Sequence, residues 1–84
     1  MKSKDSVEYL RNILSEVRDR LPIVDQETVE ELLNVGEPGV ALEILCTQIY
    51  EHDIQVPPRI ILGIAKIGEM IGLDNSYWLM LDAD

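Results

Sequence analysis

Cys46 and His52 are the only thiol and the only imidazole in this chain, and they bound the chemistry its side chains can do. Nucleophilic catalysis needs a hydroxyl or thiol held against a base that activates it. Cys46 instead falls in helical register with Leu42, Leu45 and Ile49, where a cysteine serves as a small core residue. His52 lies in the last turn of the same helix, where a cation interacts well with the helix C-terminus. Zinc wants several Cys or His ligands at set spacing, and a calcium loop wants alternating Asp or Asn followed by Gly and a distant Glu. Neither pattern occurs in the sequence, and no Gly-rich phosphate loop occurs either. Carboxylates are plentiful, but they fall on faces expected to be exposed, with no pocket to tune one as an acid or base. The expectation is a protein that is not an enzyme, with no catalytic residue, no cofactor and no metal.

The carboxylates are the positive signal. Glu27, Glu30, Glu31 and Asn34 share one side of a short helix. Val40, Glu43, Thr47 and Glu51 share a stripe on the next, with Asp53 just past its end. Like charges three or four residues apart on a helix cost roughly 0.2–0.5 kcal/mol per pair. The helix dipole offsets part of this for Asp25 and Glu27 and less for Glu30 and Glu31. Between residues 21 and 53 there are eight acids and no Lys or Arg. An ordinary solvated face is one reading of these stripes; a docking surface for a cationic partner is the other. Tyr50 beside Glu51 favours docking, because aromatic side chains anchor tight interfaces. The candidate partner-binding residues are Glu27, Glu30, Glu31, Glu43, Tyr50, Glu51 and Asp53.

Charge over the whole chain agrees. The 84 residues carry a net charge of −9. Residues 1–20 hold five basic and four acidic side chains, whereas residues 21–84 hold twelve acids and two bases. Such a surface repels phosphate and attracts basic proteins, so no direct nucleic-acid binding is expected. Residues 60–73 form the longest apolar-rich segment, which contains Lys66 and Glu69 and is too short to span a bilayer, so no membrane partner is expected. Met1-Lys2-Ser3-Lys4-Asp5 leads straight into an amphipathic pattern and does not read as a secretory leader. With a single cysteine there is no internal disulfide, which favours a reduced, cytoplasmic home.

Residues 1–84 read as a single all-α domain, a compact bundle of four helices plus a short C-terminal helix. The first helix is expected over about 6–20, capped by Asp5 or Ser6, with Val7, Leu10, Ile13, Leu14, Val17 and Leu21 as its apolar stripe. Pro22 closes it. The second is expected over about 26–35 with Asp25 as N-cap, Val29, Leu32 and Leu33 inward, and Gly36 as a left-handed cap. The third opens on Pro38. The fourth opens on Pro57-Pro58, runs to about Ile71, and is apolar around most of its circumference, so it is expected to be central. Arg59, Gly63 and Lys66 form its thin polar seam. Gly63 and Gly68 inside it point to close approach of a neighbouring helix, and Gly72-Leu73 to a Schellman stop. The last helix is expected over 76–81, capped by Asp74 or Asn75, with Trp78 and Leu79 sealing the core.

The polar residues set at fixed places in this apolar pattern carry a likeness. Gly36-Glu37, Ala41-Leu42-Glu43, Leu45, Gln48, Tyr50-Glu51 and Asp53, then Gly68, Met70, Gly72-Leu73 and Trp78, resemble the MafI family of immunity proteins. Their role is similar to that of immunity proteins in contact-dependent growth inhibition. The resemblance covers about 33–81, and the first helix lies outside it. It implies an immunity protein in the bacterial cytoplasm that binds the C-terminal domain of a cognate polymorphic toxin, often a ribonuclease. A ribonuclease must be cationic to hold RNA, so the implied mechanism is occlusion of its substrate groove by an acidic surface. Free of its partner, the chain is expected to be a monomer or weak homodimer. The acids in the matching stretch have a second use open to them: Glu37 suits a helix start, and Gln48 and Glu51 suit bonds to neighbouring loops. Toxin contacts then fall on Glu27, Glu30 and Glu31 or on the 51–55 end.

Two other functions fit the same composition. One is a small helical adaptor or oligomerisation module with the fourth helix's glycines and Met70 at the seam. The other is an acyl-carrier-like protein with a phosphopantetheine on Ser76, although Asp74-Asn75-Ser76-Tyr77 has the wrong order for the Asp-Ser-Leu that family carries.

Overall fold

In a computed structural model, residues 3–83 are described, with side chains from Asp5 onward. Met1, Lys2 and Asp84 lie outside the described residues, and with them the start of the N-terminal lead. The elements are α1 (Ser3–Val17), a 3-10 turn (Arg18–Arg20), α2 (Ile23–Asn34), α3 (Pro38–Glu51), α4 (Pro58–Met70) and α5 (Ser76–Leu79). The chain is all-α, as its periodicity implies. The one exception among the described residues is an isolated parallel bridge between Val56 and Ala83.

Helix ends follow the proline and glycine punctuation. Gly36 has φ +76°, and behind it Glu37 N–H donates to Leu32 C=O (2.9 Å) and Gly36 N–H to Leu33 C=O (3.1 Å). That is a Schellman stop, which satisfies carbonyls the helix end would otherwise orphan. Gly72, at φ +79°, ends α4 the same way, with Leu73 N–H reaching Gly68 C=O at 2.8 Å. The end of α3 repeats the motif with Ile54 N–H on Ile49 C=O (2.9 Å), but its left-handed residue is Asp53, at φ +51°.

Several boundaries differ from expectation. α1 begins at Ser3, so neither Asp5 nor Ser6 caps it; Ser6 is buried. Its last expected turn tightens into 3-10 geometry before Pro22. α2 begins at Ile23, because the Pro22 carbonyl already accepts from Asp25 and Gln26 N–H, and Asp25 lies inside the first turn. α5 ends at Leu79 rather than Leu81. Asn75 is the N-cap of α5 but makes no side-chain capping bond; Asp74, one residue earlier, accepts the Ser76 amide on Oδ1 at 2.8 Å, and that bond holds its carboxyl below the usual carboxylate range.

α3 is the central helix, not α4. It packs against α1, α2, α4 and α5, and Ala41, Leu42, Leu45, Cys46 and Ile49 are all 0% exposed. α1 supplies Leu10, Ile13, Leu14 and Val17 to the same core, and α2 supplies Val29 and Leu33. α4 contributes Ile60, Ile64 and Ile67 but turns Leu62 outward at 70% exposure and Met70 at 49%. Gly63 is buried, so it belongs to the packed side of α4 and not to a polar seam.

Both α4 glycines mark close approaches, as their position implies. Gly68 receives the ring of Trp78, and Gly63 faces the Tyr9 hydroxyl; a methyl at either would lie 2.1 Å and 3.0 Å from those side chains respectively. Trp78 closes the core at 5% exposure, whereas Leu79 is 71% exposed and does not.

Candidate partner-binding surface

α1 and α2 are stitched along one flank by arginines that the sequence keeps in α1 and the turn after it. Arg18 forks: its Nε donates to Gln26 Oε1 at 2.9 Å and its Nη1 lies 2.7 Å from Glu30 Oε1. Gln26 is buried and passes the network on, its Nε2 donating to Leu21 C=O at 2.8 Å. Arg11 donates to Asn34 Oδ1 at 2.6 Å. Arg59 of α4 pairs with Glu16 of α1 at 2.6 Å, and Arg20 donates to the Gln55 carbonyl. All four arginines of the chain are thus engaged within it.

The other flank of α2 meets α3. Asp25 Oδ2 lies 3.2 Å from His52 Nε2, joining the first turn of α2 to the end of α3. His52 follows the last residue of α3, in the C-cap position its place in the sequence implies. Glu43 is half-buried and accepts a hydrogen bond from the Tyr77 hydroxyl at 2.9 Å. The Glu43 carboxylate raises the pKa of that hydroxyl. This carboxylate therefore ties α5 onto α3.

The seven sequence-nominated residues divide accordingly. Glu30 and Glu43 hold partners within the chain. Among the described residues, Glu27, Glu31, Glu51 and Asp53 have no ion pair or side-chain hydrogen bond. All four are exposed, and Tyr50 is 53% exposed beside Glu51 and Asp53. Glu37 occupies the N-cap position of α3, but its side chain makes no capping bond. The Asp25–His52 joint brings the Glu27 end of α2 to the Glu51–Asp53 end of α3. Sequence reasoning missed the apolar members of this surface: Ile23 and Val24 on α2 and Val35 at its C-cap are 64%, 66% and 67% exposed. β-branched residues flanking an acidic helix face were the available signal.

Concave features are small. A cleft of about 190 Å³ between α1 and α4 is lined by Tyr9, Asn12, Glu16, Arg59 and Gly63. A groove of about 180 Å³ between α1 and α2 is lined by Arg11, Ser15, Arg18 and Glu30, and a dent of about 30 Å³ adjoins Tyr50. Ligand pockets commonly enclose about 300–1,000 Å³. Cys46 is fully buried, and burial pushes its thiol up to about 12, so it stays protonated at neutral pH. No group of three or more His, Cys, Asp or Glu able to hold a metal occurs among the described residues. Among the described residues no helix is long and apolar enough to cross a membrane. No protein-family model, curated protein or solved structure matches the chain.

Proposed function

We propose that this chain is an immunity protein of the bacterial cytoplasm that neutralises a cognate basic nuclease toxin domain, covering its substrate groove with an acidic surface. One observation carries the reading. Every arginine is consumed by contacts inside the chain, while Glu27 and Glu31 on α2 and Glu51 and Asp53 beside Tyr50 stay exposed and unpaired among the described residues. A nuclease groove is lined with cations that hold phosphates, and carboxylates spaced along two helices offer those cations a substitute. Opposite charge speeds encounter, and buried contacts such as Tyr50 then set the residence time. A standard interface takes about 800 Å² from each partner, a modest share of the 4933 Å² this chain exposes. The resemblance to MafI immunity proteins supports the same role.

Co-expression with a basic C-terminal domain of any polymorphic toxin found encoded next to this chain tests it. Growth should be rescued, and rescue should weaken when Glu27, Glu31, Glu51 and Asp53 are reversed to Lys. Failure of the native chain to rescue removes the proposal. Self-association is the second reading, favoured by Leu62 and Met70 on the outer face of α4. Its glycine seam is filled from within by Tyr9 and Trp78, so it rests on those two side chains. Light scattering of the isolated chain decides it.

A further inference from the structure

Val24, Glu27, Glu31 and Val35 follow one another at spacings of three, four and four, so they form a single outward ridge on α2. At 1.5 Å per residue the ridge is about 16 Å long. Its order is apolar, acid, acid, apolar, and all four side chains are exposed. Glu30 and Asn34, turned toward α1, are held by Arg18 and Arg11. Asp25, turned toward α3, is held by His52. The fold thus engages both flanks of α2 in contacts within the chain and leaves its crest bare. Glu27 and Glu31 are one turn apart and repel each other with no cation between them, a local cost the chain could remove with one Lys. Two valines about two-thirds exposed bracket that pair, and nothing among the described residues covers them.

We infer that the α2 crest docks a basic amphipathic helix of another protein, with two Lys or Arg one turn apart set between two apolar side chains. The cations meet Glu27 and Glu31, and the apolar residues cover Val24 and Val35. A helix suits a straight ridge, since side-chain rows of one helix pack into the grooves of another. The inference rests on the reading above only in taking the partner to be cationic; it assigns a helix of that partner to the α2 crest, in addition to the contacts at the Tyr50–Asp53 end of α3.

The test uses the full chain and a synthetic helical peptide with Lys one turn apart flanked by Leu. Amide shifts recorded during titration should cluster at Val24, Glu27, Glu31 and Val35. Glu27→Lys with Glu31→Lys should weaken binding by about tenfold and flatten its salt dependence. Val24→Ser with Val35→Ser should weaken it by a similar factor and leave the salt dependence intact. Glu27→Gln with Glu31→Gln should weaken binding while the melting temperature holds or rises, because the like-charge pair is gone. Shifts centred on Tyr50 to Asp53, shifts spread over every acid, or binding indifferent to any of the three pairs would overturn the inference. A chain that rescues no toxin but maps to α2 loses the immunity reading alone. A chain that rescues a toxin but maps elsewhere loses this inference alone.

Discussion

Gly68→Ala is a sharp test of how the C-terminal segment is seated. The added methyl would lie 2.1, 2.6 and 2.9 Å from Cζ3, Cη2 and Cε3 of Trp78. Those atoms belong to one rigid ring, so no flexible end can bend aside and the indole must leave as a body. An aromatic side chain of this kind buries about 150–250 Å², worth about 4–6 kcal/mol at ~25 cal/mol per Å². Alanine returns about 1 kcal/mol of helix propensity, which leaves a net loss of about 3–5 kcal/mol. A domain of this length is stable by about 4–13 kcal/mol, at roughly 0.05–0.15 kcal/mol per residue. The midpoint of thermal unfolding should fall by at least about 12 °C, taking 4 °C per kcal/mol as the lower slope. Trp78 is the only tryptophan, so its emission reports the same event: the folded variant should show a red-shifted maximum. Gly39→Ala is the matched control. Nothing lies within 4 Å of a methyl there, and the same exchange should stabilise by up to about 1 kcal/mol. A Gly68→Ala protein with parental stability and unshifted emission would refute the packing of Trp78 on α4.

Arg18→Ala should cost about 1–3 kcal/mol by urea denaturation, because it strips the donor from buried Gln26 and leaves Glu30 unpaired; Arg11→Ala, whose partner Asn34 is exposed, should cost less. Asp53→Gly should raise the melting midpoint by relieving a left-handed backbone, worth about 1–2 kcal/mol for an ordinary residue and less for Asp; an unchanged or lower midpoint contradicts this. Cys46 gives a pH signature. The unfolded thiol releases its proton near 9.0 and the folded one at about 12. The unfolded state therefore binds fewer protons across that window, and stability contributed below pH 9 is lost as pH rises toward 12. Cys46→Ala should show a shallower fall in urea midpoint over the same range, and equal slopes would exclude the buried thiol as the cause.

Residues with fixed backbone demands were legible from sequence. Pro22, Gly36, Pro38, Pro57-Pro58 and Gly72 each interrupt or start a helix for steric reasons that hold in any fold, and all the breaks fall where they indicate. The stripe of α1 was legible because only one face of that helix is apolar. α4 was not, because a helix apolar nearly all round leaves its outward side undetermined; Leu62 and Met70 face out, and α3 takes the centre. Asp25 has a side chain that suits a cap, yet the Pro22 carbonyl begins the helix before it. Among the site residues, Asp53 lies past the end of α3, and exposure of Glu27, Glu31 and Glu51 followed from helical register. The partners of Glu30 and Glu43 did not, because Arg18 and Tyr77 reach them from other elements, and no local pattern encodes a contact across 34 residues of chain.

The loop between α3 and α4 is where distant parts of the chain converge. Arg20 donates to the carbonyl of Gln55, and the neighbouring amide, of fully buried Val56, donates to the carbonyl of Asp82 at 3.2 Å. The Val56–Asp82 bond joins the two ends of the segment that carries α4 and α5, a closure whose entropy cost grows with its span. Until that closure is made the buried Val56 amide lacks the carbonyl it donates to in the folded chain. Residues 82 and 83 thus work as a latch: the loop between α3 and α4 is closed only once they are seated against Val56.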